Sequence, residues 1–429
     1  MNLIKNLFAL SLIALSVAFV GCGDDADECT KTCGENQVLT SDCECADVSN
    51  EDEIIEDSNI TGDVTWTADK VHVLAGRITV ENGATLTIEA GTVIKGEAGS
   101  QANATALLVA RGGTLNANGT AALPIIFTSV ADEITPEMVA AGNYSSPNLD
   151  PTINGLWGGV IVCGYAPISA QNDNDQDVSE LQIEGIPTSD TNGLYGGSDA
   201  ADNSGSITYI SIRHGGTNIG SGNEINGLTL GGVGSGTTIN NVEVVANQDD
   251  GIEWFGGTVS VENVVVWNCG DDGLDTDQAW NGNCSNFIIV TPQGGSGMEL
   301  DGPEGTYTQG TNQFDNGVIY AGDNVDHLID WDGSTNTGIT NVYFYGIDAD
   351  YKATEELDPI ESFGGDGAAP TNNWEYTLPS GTTVEEIFTG VPASILTEVS
   401  ENGNTVGPDA SAFGWTWAGH SGSLGNLGL

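Results

Sequence analysis

Glycine and asparagine recur along this chain in two columns of nearly constant spacing. The glycines are 24, 22 and 24 residues apart, and each opens a short strand-like segment: Gly227, Gly251, Gly273 and Gly297. The asparagines run in step with them, each just ahead of a run of apolar residues: Asn241, Asn263, Asn286, Asn316 and Asn341. A repeat of this length, with short strands between turn residues, is the signature of a solenoid in which each unit contacts only its neighbours.

The segments between the turns are short and rich in β-branched residues, as at 71–74, 78–80 and 92–95. Such segments are typical of strands, and nothing between them is long enough for a crossover helix. The sequence therefore predicts an all-β fold, a right-handed parallel β-helix solenoid over residues 64–350. Short loop insertions are expected at 132–154, 215–224, 303–313 and 348–379.

Residues 351–429 are expected to form a loop insertion and a C-terminal cap. Helical spacing of apolar residues over 384–399 predicts a short helix, and the aromatic residues at 413–417 could close the open end of the last coil. A cap is needed because that coil carries an unpaired strand edge.

Both columns have a structural interpretation. Asparagine tolerates the left-handed backbone conformation of a tight turn, and its amide can bond the coils above and below, so that like residues stack. Glycines that follow Asp250 and Asp272 are interpreted as turn residues, because Asp-Gly is a strong turn dipeptide. The columns thus mark the register of the coil and not a site.

The charge balance restricts the possible partners. The chain has 61 acidic and 8 basic residues, for a formal net charge of -53. Nucleic acid and anionic lipid surfaces are excluded as partners, because binding them requires surface lysine and arginine. Such acidity in a folded body has two explanations, a salty habitat or the binding of divalent cations.

The N-terminus resembles a bacterial lipoprotein signal. An apolar run at 7–20 is too short to span a bilayer and is followed by Gly21 and Cys22, the small residue and the lipid-bearing cysteine of that motif. The resemblance implies that residues 1–21 are removed and that a lipid on Cys22 anchors the protein to the outer membrane. The expected location is the cell surface.

A Cys-rich module and an acidic tether are expected over residues 22–63. So small a module has no core of its own, which predicts two disulfides of undetermined connectivity, with zinc as the alternative, among Cys29, Cys33, Cys43 and Cys45. Further along, Cys269 and Cys284 could close a loop, whereas Cys163 is interpreted as a buried free thiol.

The densest group of polar residues spans three consecutive coils. Because Asp249 and Asp271 are 22 residues apart, they should stack, as should Asp250 on Asp272 and Glu253 on Asp275. Stacked carboxylates raise one another's pKa or require a cation, and oxygen ligands suit Ca²⁺. The candidate calcium ligands are Asp249, Glu253, Asp271, Asp275 and Asp277. A solvated acidic stripe is the alternative.

A catalytic interpretation uses some of the same residues. The order Asn-x-Asp-Asp, then Gly-Asp-Asp one coil later, resembles polygalacturonase-type β-helix hydrolases, which implies general acid and base roles for Asp249, Asp250, Asp271 and Asp272. The Gly-His-Gly and Arg-x-Lys motifs of that family are missing. Arg213 and His214 could substitute for them only if the chain path brings them alongside. A polysaccharide lyase is disfavoured by the scarcity of basic residues.

Tryptophans lie in or beside the acidic coils and are candidate ligand-binding residues, because aromatic faces next to carboxylates commonly hold sugar rings. They are Trp254, Trp267, Trp280 and Trp331. The alternative is that these side chains pack in the core.

Several motifs together resemble a family of secreted bacterial β-helix lipoproteins, most of them uncharacterised. They are Trp157-Gly-Gly, Tyr195-Gly-Gly, Arg213-His-Gly-Gly and Cys269-Gly-Asp-Asp-Gly-Leu-Asp. The resemblance implies the pectin-lyase-like fold and no established activity. The favoured function is a lipid-anchored, non-catalytic surface protein that binds a glycan or a cell-surface protein, with Ca²⁺. A glycoside hydrolase and a structural stalk or adhesin are the alternatives.

Overall fold

The computed structural model describes most of the chain. It covers residues 53–99, 103–172, 174–217, 225–290, 293–308, 310–322, 325–351, 359–364 and 370–429, and the backbone of 37–39 and 45–47. The predicted signal peptide, Cys22, Cys29, Cys33 and Cys43 lie outside these ranges, and only the backbone of Cys45 is described. The lipid anchor and the disulfides therefore remain predictions. No helix within the described ranges is long and apolar enough to cross a bilayer.

Two long parallel sheets confirm the expected β-helix. Sheet 1 has 15 strands. Its main path runs through β3 (Glu53–Glu56), β5 (Val71–Leu74), β8 (Val93–Gly96), β11 (Ile125–Ser129), β17 (Gly205–Arg213), β19 (Thr238–Val245), β21 (Val261–Trp267), β23 (Asn283–Val290), β25 (Asn312–Gly322), β27 (Thr337–Ile347), β29 (Trp374–Tyr376) and β30 (Leu396–Glu398). Three strands lie off this path: β4 (Asp63–Trp66), β7 (Thr85–Ile88) and β10 (Thr114–Asn118).

Sheet 2 has nine strands, all in parallel pairs. In chain order they are β6 (Arg77–Val80), β9 (Ala106–Val109), β12 (Val160–Cys163), β18 (Leu228–Gly231), β20 (Ile252–Phe255), β22 (Leu274–Asp277), β24 (Met298–Leu300), β26 (Ile329–Trp331) and β28 (Ile360–Glu361). The coils therefore extend beyond the predicted range of 64–350 at both ends, because β3 pairs with β5 and β28 pairs with β26.

The remaining elements are small. Antiparallel pairs join β1 (Gln37–Leu39) to β2 (Cys45–Asp47), β13 (Ala170–Gln171) to β14 (Asp177–Val178), and β15 (Leu181–Gln182) to β16 (Leu194–Tyr195). The helices are α1 (Pro136–Ala140), α2 (Val384–Ile387), α3 (Trp417–His420) and α4 (Ser423–Asn426). The helix predicted over 384–399 is thus a single turn, and β30 follows it.

The asparagine column is the bend in the long strands of sheet 1, as predicted. Each asparagine has a positive φ, for example 59° at Asn263 and 58° at Asn286. The amides also bond from coil to coil: Asn286 Nδ2 donates to Asn263 Oδ1 at 2.6 Å, and Asn373 Nδ2 donates to Asn341 Oδ1 at 2.7 Å. One residue type thus satisfies both the strained backbone and the stacking.

The glycine column has a different cause from the predicted one. These glycines do not have a positive φ, so they are not left-handed turn residues. Space is the constraint instead: a Cβ on Gly251 would lie 2.4 Å from the carbonyl oxygen of Gly273 and 2.6 Å from Cγ1 of Val266 in sheet 1. The glycines allow the two sheets and successive coils to approach closely.

The core lies between the sheets and contains large aromatic side chains. Trp254 stacks on Trp280 with ring centroids 4.6 Å apart, and Phe314 packs against both. At the C-terminal end, Ile387 of α2 and the adjacent Phe388 join the same buried cluster and cover it. The C-terminal end is therefore closed by α2 and the residue that follows it. The aromatic motif at 413–417 does not close it.

The aromatic motif instead belongs to a segment that folds back along sheet 1, here called the C-terminal strap (residues 405–429). Phe413 packs on the outer face of sheet 1 with Ile288 and Tyr343. The strap is held by the buried carboxylate of Glu243, which accepts backbone N–H bonds from Trp417 at 3.0 Å and Ala418 at 2.9 Å. The strap covers a side of the solenoid and not its end.

A long insertion at 164–204, absent from the sequence-based prediction, covers part of the outer face of sheet 2. Ile168, Ile183 and Tyr195 pack there against Leu108 and Ile161. Two arginines fasten it. Arg77 pairs with Asp190 at 2.9 Å, and Arg111 pairs with Glu180 at 2.6 Å. The chain has few basic residues, and the use of two of them here indicates that the sequence specifies where the insertion lies on sheet 2.

The downstream cysteines are free and buried. The predicted free thiol at Cys163 is confirmed, whereas the loop-closing bond between Cys269 and Cys284 is absent. Both of the latter side chains are part of the apolar core, where a small thiol packs as a hydrophobe.

Replacing Gly251 by alanine is expected to destabilise the solenoid by about 3 kcal/mol, since the added methyl would overpack backbone and core atoms that cannot retreat. The midpoint of guanidinium unfolding measures the effect. Gly333→Ala is the matched control, because nothing lies within 4 Å of its added Cβ. Similar midpoints for the two variants would contradict a close-approach role for the glycine column.

Replacing Asn286 separates the two roles of the asparagine column. Asn286→Ala loses the amide bonds and also forces alanine into the left-handed region, whereas Asn286→Gly loses only the bonds. The alanine variant should therefore unfold at lower denaturant, with an extra loss of about 1 kcal/mol. An equal loss in both variants would assign the whole effect to the hydrogen bonds.

Candidate functional site

The outer face of sheet 2 carries a column of carboxylates, one from each of five consecutive coils. Parallel register stacks neighbouring members directly: Glu253, Asp275, Glu299, Asp330 and Glu361. Side chains alternate along a strand, so these residues point outward while their neighbours Ile252 and Trp254 fill the core. The predicted stacking of Glu253 on Asp275 is confirmed.

Two further columns flank this one. On the N-terminal side of the central column, backbone hydrogen bonds set the register, for example from Gly251 N to Asp272 O and from Gly273 N to Ser296 O. The residues that stack there are Asn226, Asp250, Asp272, Ser296 and His327. On the C-terminal side, Asp301 N bonds Thr276 O and Asp332 N bonds Leu300 O, so that the stacked residues are Asp277, Asp301 and Asp332. The three columns together are called the acidic face. The predicted stacking of Asp250 on Asp272 is confirmed.

The first coils of the acidic face contain a buried group, here called the inner cluster: Asn226, Asp250, Glu253 and Asp275. Each has less than a tenth of its surface exposed. Ligand atoms of the three carboxylates all lie within 4.8 Å of one another. Asn226 Nδ2 donates to Glu253 Oε2. Asn226 Oδ1 and Asp275 Oδ1 are buried without a hydrogen-bond partner in the described chain.

The aspartates predicted as catalytic are close together, but two of them hold the backbone. Asp249, Asp250 and Asp271 form a second group with ligand atoms within 4.8 Å. Asp250 Oδ1 accepts the N–H of Asp272 at 2.9 Å, and Asp272 Oδ1 accepts the N–H of Ser296. These carboxylates therefore bridge successive coils at the turn before sheet 2.

The predicted metal ligands do not all meet in one place. Asp249 and Asp271 belong to one group, Glu253 and Asp275 belong to the other, and both groups share Asp250. Asp277 stands outside both, and its Oδ1 accepts the N–H of Gln278 at 2.6 Å. The structure therefore places Asp250 with the predicted residues and leaves Asp277 apart from both groups.

Burial and mutual repulsion strongly perturb these carboxyl groups. Burial raises the pKa of Asp250, Glu253 and Asp275 well above the usual range, and neighbouring carboxylates raise it further. A hydrogen bond with Asp272 and burial raise the pKa of Glu299 to about 9, while burial and nearby aspartates raise that of Asp301 to about 6. At neutral pH such a face must hold protons or cations.

The insertion at 164–204 determines where the acidic face begins. In the coils before Glu253, the same position of the central column is occupied by Leu108, then Ile161 and then Thr229. The apolar members lie under the insertion, and the carboxylates begin at its edge. Glu184 of the insertion faces Glu253 closely enough to raise its pKa. No short motif signalled this residue, because the insertion brings it from a distant part of the chain.

Three of the four predicted sugar-binding tryptophans are buried. Trp254, Trp280 and Trp331 have at most 1% of their surface exposed. Trp331 stacks toward Trp374 inside the C-terminal coils, at a centroid distance of 6.3 Å. Trp267 lies on the other sheet, against Trp417 of the C-terminal strap. Burial makes the sugar-binding interpretation wrong for Trp254, Trp280 and Trp331. Trp267 lies away from the acidic face.

Arg213 and His214 also lie elsewhere. Arg213 is buried under the strap, 3.8 Å from Glu243 and with its guanidinium over the ring of Trp417. His214 is fully buried, and its Nδ1 lies 2.5 Å from the carbonyl oxygen of Ile153. Neither can substitute for the basic motif of a hydrolase, because their side chains hold the strap and the loop before β12 in place.

The match to a family model agrees with this architecture. Residues 58–324 match the model of the pectate-lyase-like beta helix domain. No curated protein and no solved structure matches the chain significantly. Since the match spans more than half of the chain and the strands form parallel coils, the protein belongs to the pectate-lyase-like β-helix domain family.

Proposed function

We propose that this protein is a non-catalytic, lipid-anchored cell-surface β-helix that binds Ca²⁺ on its acidic face and, through that face, a glycan or a cell-surface protein. The inner cluster is the observation that carries the proposal. Three buried carboxylates converge within 4.8 Å, and buried oxygens of Asp275 and Asn226 lack a hydrogen bond within the described residues. Unpaired buried acceptors are costly, and a cation removes that cost.

The chemistry of the inner cluster suits calcium. Ca²⁺ prefers six to eight oxygen ligands from carboxylates, amide carbonyls and water. Asp250, Glu253 and Asp275 supply carboxylate oxygens, and Asn226 supplies an amide oxygen. The second group around Asp249 and Asp271 shares Asp250, so a neighbouring ion could bind there as well. The exposed carboxylates further along would then be free to contact a partner directly or through additional ions.

A glycoside hydrolase is the second candidate. The raised pKa of Asp250, next to Asp249 and Asp271, is the observation that favours it, because such pairs supply a general acid and a base. The backbone bonds that Asp250 and Asp272 accept argue for a structural role instead. Hydrolysis of neutral or uronate polysaccharides by the purified protein, abolished in Asp250→Asn, would establish the enzyme and overturn the non-catalytic proposal.

Calcium is expected to raise the melting temperature, and Asp275→Asn is expected to weaken Ca²⁺ binding at least about tenfold in calorimetric titration. The same substitution should leave the calcium-free protein as stable as before or more stable, since it removes one member of a repelling group. Asp63→Asn, at an exposed position on sheet 1, is the control and should change neither quantity. A chelator-insensitive melting temperature would count against the calcium site.

The pH dependence of stability follows from the raised pKa values. Since the folded carboxyl groups hold protons that the unfolded chain releases, calcium-free stability should be greatest near pH 4 and fall as the pH rises. The fall should continue as the pH rises through the pKa values of Asp301, about 6, and Glu299, about 9, because each group loses its contribution once it is ionised in the folded state. Saturating Ca²⁺ should remove most of this slope. Denaturant unfolding across this pH range, with and without calcium, measures both curves, and stability that rises with pH in chelator would contradict the prediction.

The lipid anchor has a simple test. Cys22→Ala should release the protein from the membrane fraction of expressing cells, because an acyl-bearing cysteine is the only anchor that the sequence motif implies. Unchanged membrane association of this variant would refute lipid attachment at Cys22.

A further inference from the structure

The C-terminal end of the acidic face differs from the rest because it contains a histidine. His327 occupies the position that Asp250 and Asp272 hold in earlier coils, and it directly precedes Leu328 and β26. Its neighbours are Asp330 of β26 and Glu361 of β28. Three groups of acidic and histidine residues in the described chain have ligand atoms within 4.8 Å of one another, and this group alone includes a nitrogen donor.

The ligand atoms of His327, Asp330 and Glu361 lie close to one another. One ring nitrogen and one oxygen of each carboxylate are all within 4.8 Å, and His327 Nε2 lies 3.3 Å from Glu361 Oε2. Ligand atoms around a tetrahedral Zn²⁺ with bonds of about 2.0 Å are about 3.3 Å apart. Because only one nitrogen of the ring can bind a given ion, side-chain rotations must bring the three ligand atoms together. His327 is about one-fifth exposed and Glu361 is half exposed, so an ion can enter from solvent.

The parallel register explains why these three residues meet. Asp330 and Glu361 stack directly in the central column of the acidic face. His327 comes from the turn three residues before Asp330, at the edge of the same face. Ser296 Oγ lies 3.4 Å from His327 Nδ1, in the position of a partner that orients the ring. Asp330 and Glu361 thus come from paired strands of two successive coils, and His327 comes from the turn that leads into the first of these strands.

We propose that His327, Asp330 and Glu361 form a zinc site, distinct from the calcium site of the inner cluster. The mixed nitrogen and oxygen donors suit Zn²⁺, whereas the oxygen-only inner cluster suits Ca²⁺. Three protein ligands leave a coordination position for water or for a group from a bound partner. The zinc site does not rest on the calcium proposal, because the two share no residue.

Zinc binding to the full-length protein can be measured by competition with a chromophoric zinc indicator in saturating Ca²⁺, which occupies the oxygen-only sites. His327→Ala should lower the Zn²⁺ affinity at least about tenfold, and Glu361→Gln should lower it as well. Two matched controls should retain zinc: His420→Ala, which removes an exposed histidine from the strap, and Asp275→Asn, which impairs only the inner cluster. Melting temperatures verify that each variant folds.

Cobalt gives an independent readout, because Co²⁺ bound through a histidine nitrogen in a low-coordinate site shows intense visible absorption. Wild-type protein should develop these bands and His327→Ala should not. Wild-type protein that binds no zinc, or His327→Ala with unchanged zinc affinity, would overturn the proposal. Equal loss of zinc in Asp275→Asn and His327→Ala would also overturn it, since that outcome indicates diffuse attraction to the acidic face.

Discussion

Backbone hydrogen bonding between parallel coils is the constraint on which the rest of this protein depends. Each coil pairs with the next in register, so that residues one repeat apart lie about 4.8 Å from each other. Any side chain that recurs in the sequence therefore contacts its own kind in space. Valines stack into the core, asparagines bond amide to amide at the bend, and glycines allow the sheets to approach.

The same geometry produces the acidic face. In a globular domain, carboxylates 22 or 24 residues apart in sequence need not be close in space. Here the register stacks Glu253, Asp275 and Glu299 directly on one another. Mutual repulsion and burial raise the pKa of each group. A β-helix whose coils repeat acidic residues thus concentrates negative charge on one face. Such a face binds protons or cations, which lower the repulsion between its carboxylates.

Two parts of the structure come from outside the repeat, and each covers part of the outer face of one sheet. The insertion at 164–204 covers the apolar start of sheet 2 and is fastened by Arg77 and Arg111. The C-terminal strap covers part of the outer face of sheet 1, where Glu243 accepts a backbone bond from Trp417 and Phe413 packs on the sheet. The arginines serve these attachments, and His327 is the basic side chain that the described part of the chain places on the acidic face.

Periodicity alone determined the fold class, the asparagine ladder and which carboxylates stack, because these depend only on the spacing of residues along a uniform coil. The tertiary structure decided what spacing does not encode. Trp254 was expected to lie beside the carboxylates as a sugar-binding residue, yet adjacent residues of a strand point to opposite faces, so Glu253 joins the inner cluster outside sheet 2 and the indole fills the core. The aromatic motif at 413–417 was expected at an end and lies on a side. Glu184 comes near Glu253 only because the insertion at 164–204 packs against sheet 2. Contacts between distant segments depend on packing that no local repeat specifies.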